Sequence, residues 1–273
     1  MQPVSENPRP RSFSALFGVV APEVGWAPPI RFLLRRARVL RLLYGRTQGN
    51  IIEVGCGAGA LLHELALPSK DAIGLETSPR ALAIARKIAV LAEGKQRISN
   101  QPDATLAGTR DLVCAFDVLE HIEDDHAALK EWVGWLAPDG MVCVSVPAHR
   151  NRWGAGDEWA GHWRRYDRGD LVHLLESSGL VVEQFECYGF PLANFTEWWG
   201  NRTYRRLLQQ RGKSVSMEQA TSESGVERSD YLRLFRRMDT PLGRTALRAA
   251  LWMQSLTRNT DWGSGYLVLA RRA

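Results

Sequence analysis

The chain has 273 residues, 45% of them hydrophobic and 24% charged, with a formal net charge of +5. That much apolar material builds one sizeable core with additions. No run is long and apolar enough to span a bilayer, and the scattered Cys56, Cys114, Cys143 and Cys187, with no Cys-x-x-Cys pair, argue against a zinc site and for a reducing cytosol.

Taken in chain order, the first dozen residues are expected to be disordered. Ser12–Ala21 follows Arg9 and Arg11 and has the outline of a short signal-peptide core, but Glu23 and the prolines argue against that. Pro29–Leu43 places apolar residues at helical spacing with arginines between them, which predicts a helix beside the first strand and a solvated arginine face. Ile51-Ile-Glu-Val-Gly-Cys-Gly-Ala-Gly-Ala60 reads as a buried parallel strand, a tight glycine turn and a helix start. Its glycines let a ligand approach where a Cβ would clash. Ala72–Glu76 is the next strand. Glu76 stands at its C-terminal end, 23 residues after Glu53, where a carboxylate can accept from both hydroxyls of a ribose. Ser78 then suits a helix N-cap and Pro79 the first helical residue. A further strand starts at Asp111 and runs into the loop Leu119-Glu-His-Ile122. Pro138-Asp-Gly140 forms a turn before a strand over 141–146. The remaining strands are expected at 180–188 and 264–270. Helix-like patterns over 192–211 and 230–257 lie between them, joined by a polar Ser/Glu/Gln-rich stretch at 213–229.

The spacing Glu53-x-Gly55-x-Gly57-x-Gly59 differs from the G-x-G-x-x-G of NAD sites and resembles motif I of the class I S-adenosylmethionine (SAM) methyltransferases. A carboxylate there suits an ammonium group and would repel a pyrophosphate. Glu76 alone does not separate the two cofactors. Asp111-Leu-Val-Cys-Ala-Phe-Asp-Val-Leu-Glu-His-Ile122 does, since it matches motif IV of the same family. The resemblance covers about residues 50–190. It implies that Glu53, Gly55, Gly57, Gly59, Glu76, Thr77, Asp103, Ala104, Asp117 and His121 hold SAM, with Asp103 near the adenine and S-adenosylhomocysteine (SAH) as product. His121 carries a structural or cofactor-side role rather than a catalytic one. The six histidines show no metal-ligand spacing, and no metal is expected.

The implied fold is α/β: a Rossmann-like seven-stranded sheet with N-terminal helices over 1–49, a SAM-binding core over 50–189, a helical cap over 190–262 and the last strand at 263–273. In this family the last two strands form a hairpin. Here about 70 residues part them, too many for a plain loop, which is why they read as a cap over the acceptor site.

Between the fifth and sixth strands, Val146–Tyr166 is dense in chemistry. It resembles a bacterial subgroup with a Pro-Ala-His segment followed by Asp-Glu-x-x-Gly-His-x-Arg-Arg-Tyr. His162 is the first candidate for a base and His149 the second. Arg164 and Arg165 could grip a carboxylate, or with Tyr166 could pin the loop to the domain through Asp157 or Glu158. Trp153, Trp159 and Trp163 could wall an apolar pocket.

From residue 190 onward the chain has 14 Lys and Arg against 7 Asp and Glu, so the cap is its basic part. Basic cover suits an anionic acceptor, an acidic carrier or a membrane surface, and no nucleic-acid motif accompanies it. Methylation of a small-molecule or peptide acceptor, at a hydroxyl or at a carboxylate, is the leading reading. A nicotinamide oxidoreductase conflicts with the glycine spacing. A non-catalytic SAM sensor would not require the polar loop at 149–166.

Overall fold

The computed structural model describes residues 13–211 and 229–273. The first dozen residues and all but the last residue of the polar stretch at 213–229, both singled out above, lie outside the described residues.

The sheet is built from β3 (Asn50–Val54), β4 (Asp71–Leu75), β5 (Arg97–Ser99), β6 (Arg110–Phe116), β7 (Leu136–Pro147), β8 (Leu180–Tyr188) and β9 (Gly265–Arg272). A short antiparallel pair, β1 (Phe13–Ser14) and β2 (Gly18–Val19), precedes it. The order across the sheet is β5-β4-β3-β6-β7-β9-β8. The first five strands are mutually parallel, and β9 runs antiparallel to both β7 and β8. This is the expected seven-stranded Rossmann-like sheet. The expected Pro138–Gly140 turn is a kink within β7, where Asp139 has φ 61°.

Alternation along each strand feeds two cores. Ile52, Val113, Val142 and Val144 face Leu129, Trp132 and Trp135 of α4 (Asp125–Trp135) and Leu171 and Leu175 of α6 (Arg168–Ser177). Their neighbours Ile51, Leu112, Cys114 and Cys143 face α1 (Ile30–Leu42) and α2 (Ala60–Ala66) on the other side. All four cysteines are free and buried, acting as small hydrophobes. Ser78 caps α3 (Pro79–Leu91), accepting from the Ala81 N–H, and Pro79 occupies the first turn as expected.

Two expectations are corrected. The arginines of α1 do not form a solvated face. Arg36 and Arg38 are buried, and Arg31 and Arg35 turn toward the cavity described below; Arg41 alone of the helix's five is exposed. Arg36 makes two bonds to Glu64 at 2.6 and 2.5 Å, and Arg38 makes two to Glu186 at 2.8 and 2.7 Å. These forked pairs bolt α1 to α2 and to β8. Arg38→Ala would strand the Glu186 carboxylate in the interior. It should cost about 3–5 kcal/mol in chemical denaturation, and a loss below about 1 kcal/mol would show that Glu186 re-solvates.

The second correction concerns 230–257. It is two helices, α8 (Ser229–Met238) and α9 (Pro241–Thr257), following α7 (Leu192–Arg211). The break falls at Asp239–Thr240, where Thr240 caps α9 by accepting from the Gly243 N–H and Pro241 takes the first helical position. The insertion is rooted in the core. Ala193 and Ala250 pack on Leu34 of α1, while buried Gln254 accepts from the Gly189 N–H and donates to the Leu34 carbonyl. Among the described residues no helix is long and apolar enough to cross a membrane.

Candidate active site

The C-terminal ends of β3, β4, β6 and β7 open on one cavity of about 1580 Å³, roofed by α1, the loop after β7 and α7. It exceeds the roughly 300–1,000 Å³ of an ordinary small-molecule pocket, so it has room for a cofactor and a second reactant.

On the β3 side, Glu53 is 4% exposed and its Oε2 has no hydrogen-bond partner. Burial pushes its pKa up to about 8, against the pull of Arg35 and with the push of Glu76. Gly57 has φ 57° and a Cβ placed there would meet nothing within 4 Å, so this residue faces open cavity. Gly55 is held differently: a Cβ would come 2.6 Å from Val118 Cγ2. Glu76 accepts from the Gly57 N–H at 2.8 Å and the Ser78 N–H at 2.7 Å, which fixes its carboxylate at the mouth of the turn. Thr77 and Asp117 also line the cavity.

Gly59 does not. It sits at the start of α2, where a Cβ would meet Ala85 of α3 at 3.4 Å, and it is outside the cavity lining. Asp103 and Ala104 are exposed and outside the lining, with Asp103 accepting from the Thr105 N–H at 2.9 Å; Asn100 and Pro102 reach the cavity from that segment instead.

Asp117 has φ 55° and is the most heavily bonded acid of the site. Its carboxylate pairs with Arg35 and with Arg31 at 3.4 Å, and accepts from the Ser145 hydroxyl at 3.1 Å and the Tyr188 hydroxyl at 3.4 Å. Burial works to raise its pKa, but Arg35, Arg31 and Ser145 hold it down at about 2. Arg31 and Arg35 are not singled out by the sequence motifs. The available signal is their spacing of one helical turn, distinct from the positions of Arg36 and Arg38.

The loop after β7 carries the polar half. A short helix, α5 (Ala155–Ala160), and the turn behind it bring Asp157, His162 and Arg165 together. His162 Nδ1 lies 2.9 Å from Asp157 Oδ1, and Arg165 Nε donates to the same oxygen at 2.8 Å. Arg165 also donates to Glu197 of α7 at 2.7 Å, and the Gly156 N–H donates to Asn201 at 2.9 Å, so the loop and α7 are clamped together. The His121 ring meets the His162 ring edge-on, 4.6 Å between centroids, and burial lowers its pKa to about 4. Glu120, next to it, is wholly buried with both carboxylate oxygens unpartnered, and burial followed by the nearby Asp117 charge raises its pKa.

The other loop candidates face elsewhere. Arg164 binds Asp125 at 2.6 Å and the Glu123 carbonyl, and the Tyr166 hydroxyl donates to Asp125 at 2.7 Å. His149 contacts the Gly263 carbonyl at 3.1 Å and the Tyr266 hydroxyl at 3.4 Å. None of the three lines the cavity. Of the three tryptophans only Trp159 does, tilted against Tyr204 of α7; Trp153 and Trp163 are exposed.

Residues 30–185 match the family model described as a methyltransferase domain. A ubiquinone biosynthesis O-methyltransferase of Bordetella avium is 30% identical over 132 residues, 44% of this chain and 55% of that protein. Nodulation protein S of Sinorhizobium fredii is 29% identical over 173 residues, 57% of this chain and 71% of that one. The match thus spans about half the length of the Bordetella relative. Among solved structures, an S-adenosylmethionine-dependent methyltransferase from Mesorhizobium loti superposes with a TM-score of 0.52 at 17% identity, covering 86% of this chain and 96% of that one. Magnesium protoporphyrin IX methyltransferase of Synechocystis PCC 6803, solved with bound SAH, gives 0.50 at 16% identity, covering 88% and 82%.

Proposed function

Because this chain belongs to the class I SAM-dependent methyltransferases, we propose that it methylates an oxygen of a small-molecule acceptor held between the loop after β7 and α7. The carrying observation is the Asp157–His162 pair, which presents a histidine oriented by a carboxylate to the same cavity as Glu53 and Glu76. The cofactor is SAM, which supplies an electrophilic methyl group on a sulfonium.

The residues fit that cofactor. Gly57 leaves a space that a side chain would fill, Glu53 carries an unpartnered buried oxygen suited to an ammonium, and Glu76 stands where a ribose can donate to it. In this reading the chain positions two molecules and keeps water out, the larger part of catalysis for an in-line displacement. His162 takes the hydroxyl proton. Its Nδ1–H donates to Asp157, which leaves the Nε2 lone pair for the acceptor. Trp159, Tyr204 and Trp199 supply apolar walls for the acceptor, and α7 serves as its cover.

A second reading, formation of a carboxyl methyl ester on an anionic or peptide acceptor, draws support from Arg31 and Arg35, two guanidiniums that line the cavity. Labelled-methyl transfer from SAM to a panel of phenols and carboxylic acids separates the two. A product stable to mild base is an ether and supports the first reading. Base-labile product that releases methanol supports the second, and no transfer to either class sinks both.

Glu53 gives an independent check on the cofactor half. With its pKa at about 8 it is mostly protonated at pH 7. An ammonium beside it lowers that value, so SAM binding at pH 7 should release close to one proton. Calorimetry in two buffers of different ionisation enthalpy reads the number. Identical heats would remove Glu53 from the ammonium site.

A further inference from the structure

Glu120, His121 and His162, all lining the cavity, each offer one donor atom, and these atoms lie within 4.8 Å of one another. Glu120 is the anomaly. It is fully buried, yet neither carboxylate oxygen has a partner. A polar group in that position is costly unless something satisfies it, and nothing in its protein surroundings does. His162 is already oriented to bind a cation, because the Asp157 carboxylate takes its Nδ1–H and leaves the Nε2 lone pair for the cavity side. Asp157 is itself locked by Arg165 Nε at 2.8 Å and by the Gly154 N–H at 2.8 Å. A carboxylate that fixes the tautomer and angle of an imidazole is the usual support behind a metal-bound histidine.

We propose that Glu120, His121 and His162 bind a divalent first-row transition cation. Its remaining coordination positions face the cavity and take an oxygen of the methyl acceptor. Two imidazoles and one carboxylate suit Mn²⁺, Fe²⁺, Co²⁺ or Zn²⁺, whereas Mg²⁺ and Ca²⁺ prefer all-oxygen sets. Methyl transfer from a sulfonium does not itself call for a metal. The ion acts on the acceptor in place of the His162 base, whose Nε2 lone pair is then spent on the cation: it orients the acceptor oxygen and acidifies its hydroxyl, which gives its proton to solvent water. The role of the open positions rests on reading this cavity as the acceptor site. The binding of the ion does not, so the two can fail separately.

The test uses the full chain, stripped with a chelator and titrated with Co²⁺ as a spectroscopic probe and with Zn²⁺ by calorimetry. One ion per chain is expected, with Zn²⁺ displacing Co²⁺. Glu120→Gln keeps the size of the side chain and removes its charge. His162→Asn is the second variant, should the first fail to fold. Either should weaken the ion by at least roughly ten- to hundredfold, with SAM binding retained as proof of an intact fold. No saturable uptake by the parent protein, or equal affinity in a variant that still binds SAM, overturns the site. Transfer that is unaffected by the chelator overturns its assignment to the acceptor.

Discussion

Gly57→Val is expected to abolish SAM binding while the protein stays folded. The residue sits at φ 57°, a left-handed conformation that a β-branched side chain adopts only with strain. A Cβ there meets no protein atom within 4 Å, so the two methyl groups would project into the cavity at the glycine turn. The Gly57 N–H also anchors one oxygen of Glu76 at 2.8 Å, and a shift of the turn would release the acid meant for the ribose. Space, strain and the lost anchor all act against the ligand. Gly55 makes a poor control, because a side chain there collides with Val118 and tests packing instead. Calorimetry at SAM concentrations that saturate the parent protein should show no binding heat. Parent-like affinity in a folded Gly57→Val protein would mean that the cofactor does not pass over this turn.

The parts of the molecule that could be read from the sequence are those with short-range causes. The strand at 50–54, the glycine turn, Glu76 at the end of β4 and the cap of α3 all announce themselves within a few residues. What escaped depends on partners far away in the chain. Arg36 and Arg38 look like a charged face until Glu64 and Glu186 arrive to meet them. The break at Asp239–Thr240 was hidden because the apolar period continues across it, although Thr240-Pro241 carries a cap signal of its own. Arg164, Arg165 and Tyr166 are adjacent in sequence yet diverge in space, since only Arg165 turns inward to Asp157 while its two neighbours reach Asp125. His121 and His162 are 41 positions apart, so no spacing rule would pair them, but the motif IV loop and the loop after β7 bring their rings to 4.6 Å.

That convergence makes His162→Ala the most informative change to the chemistry. If the acceptor is a hydroxyl, kcat should fall by roughly 10²–10⁴-fold, the range for removing a positioned proton acceptor. The loss follows whether the Nε2 lone pair takes the proton itself or instead holds a cation that acidifies the acceptor hydroxyl, since neither arrangement survives without the imidazole. SAM affinity should change little, because Glu53, Gly57 and Glu76 belong to β3 and to the loops after β3 and β4, not to the loop after β7 that carries His162. The pH profile gives the sign. In the variant the acceptor must ionise unaided, so activity should climb toward the acceptor's own pKa, about 10 for a phenol, whereas the parent protein has no such need. A carboxylate acceptor, already ionised at neutral pH, predicts a mild effect and no climb. Arg164→Lys is the matched control. Its guanidinium binds Asp125 outside the cavity, so kcat and KM should both stay near the parent values. A folded, SAM-binding His162→Ala protein with full activity toward a hydroxyl acceptor would return the Asp157–His162–Arg165 cluster to a purely structural role, that of clamping the loop to α7 through Glu197.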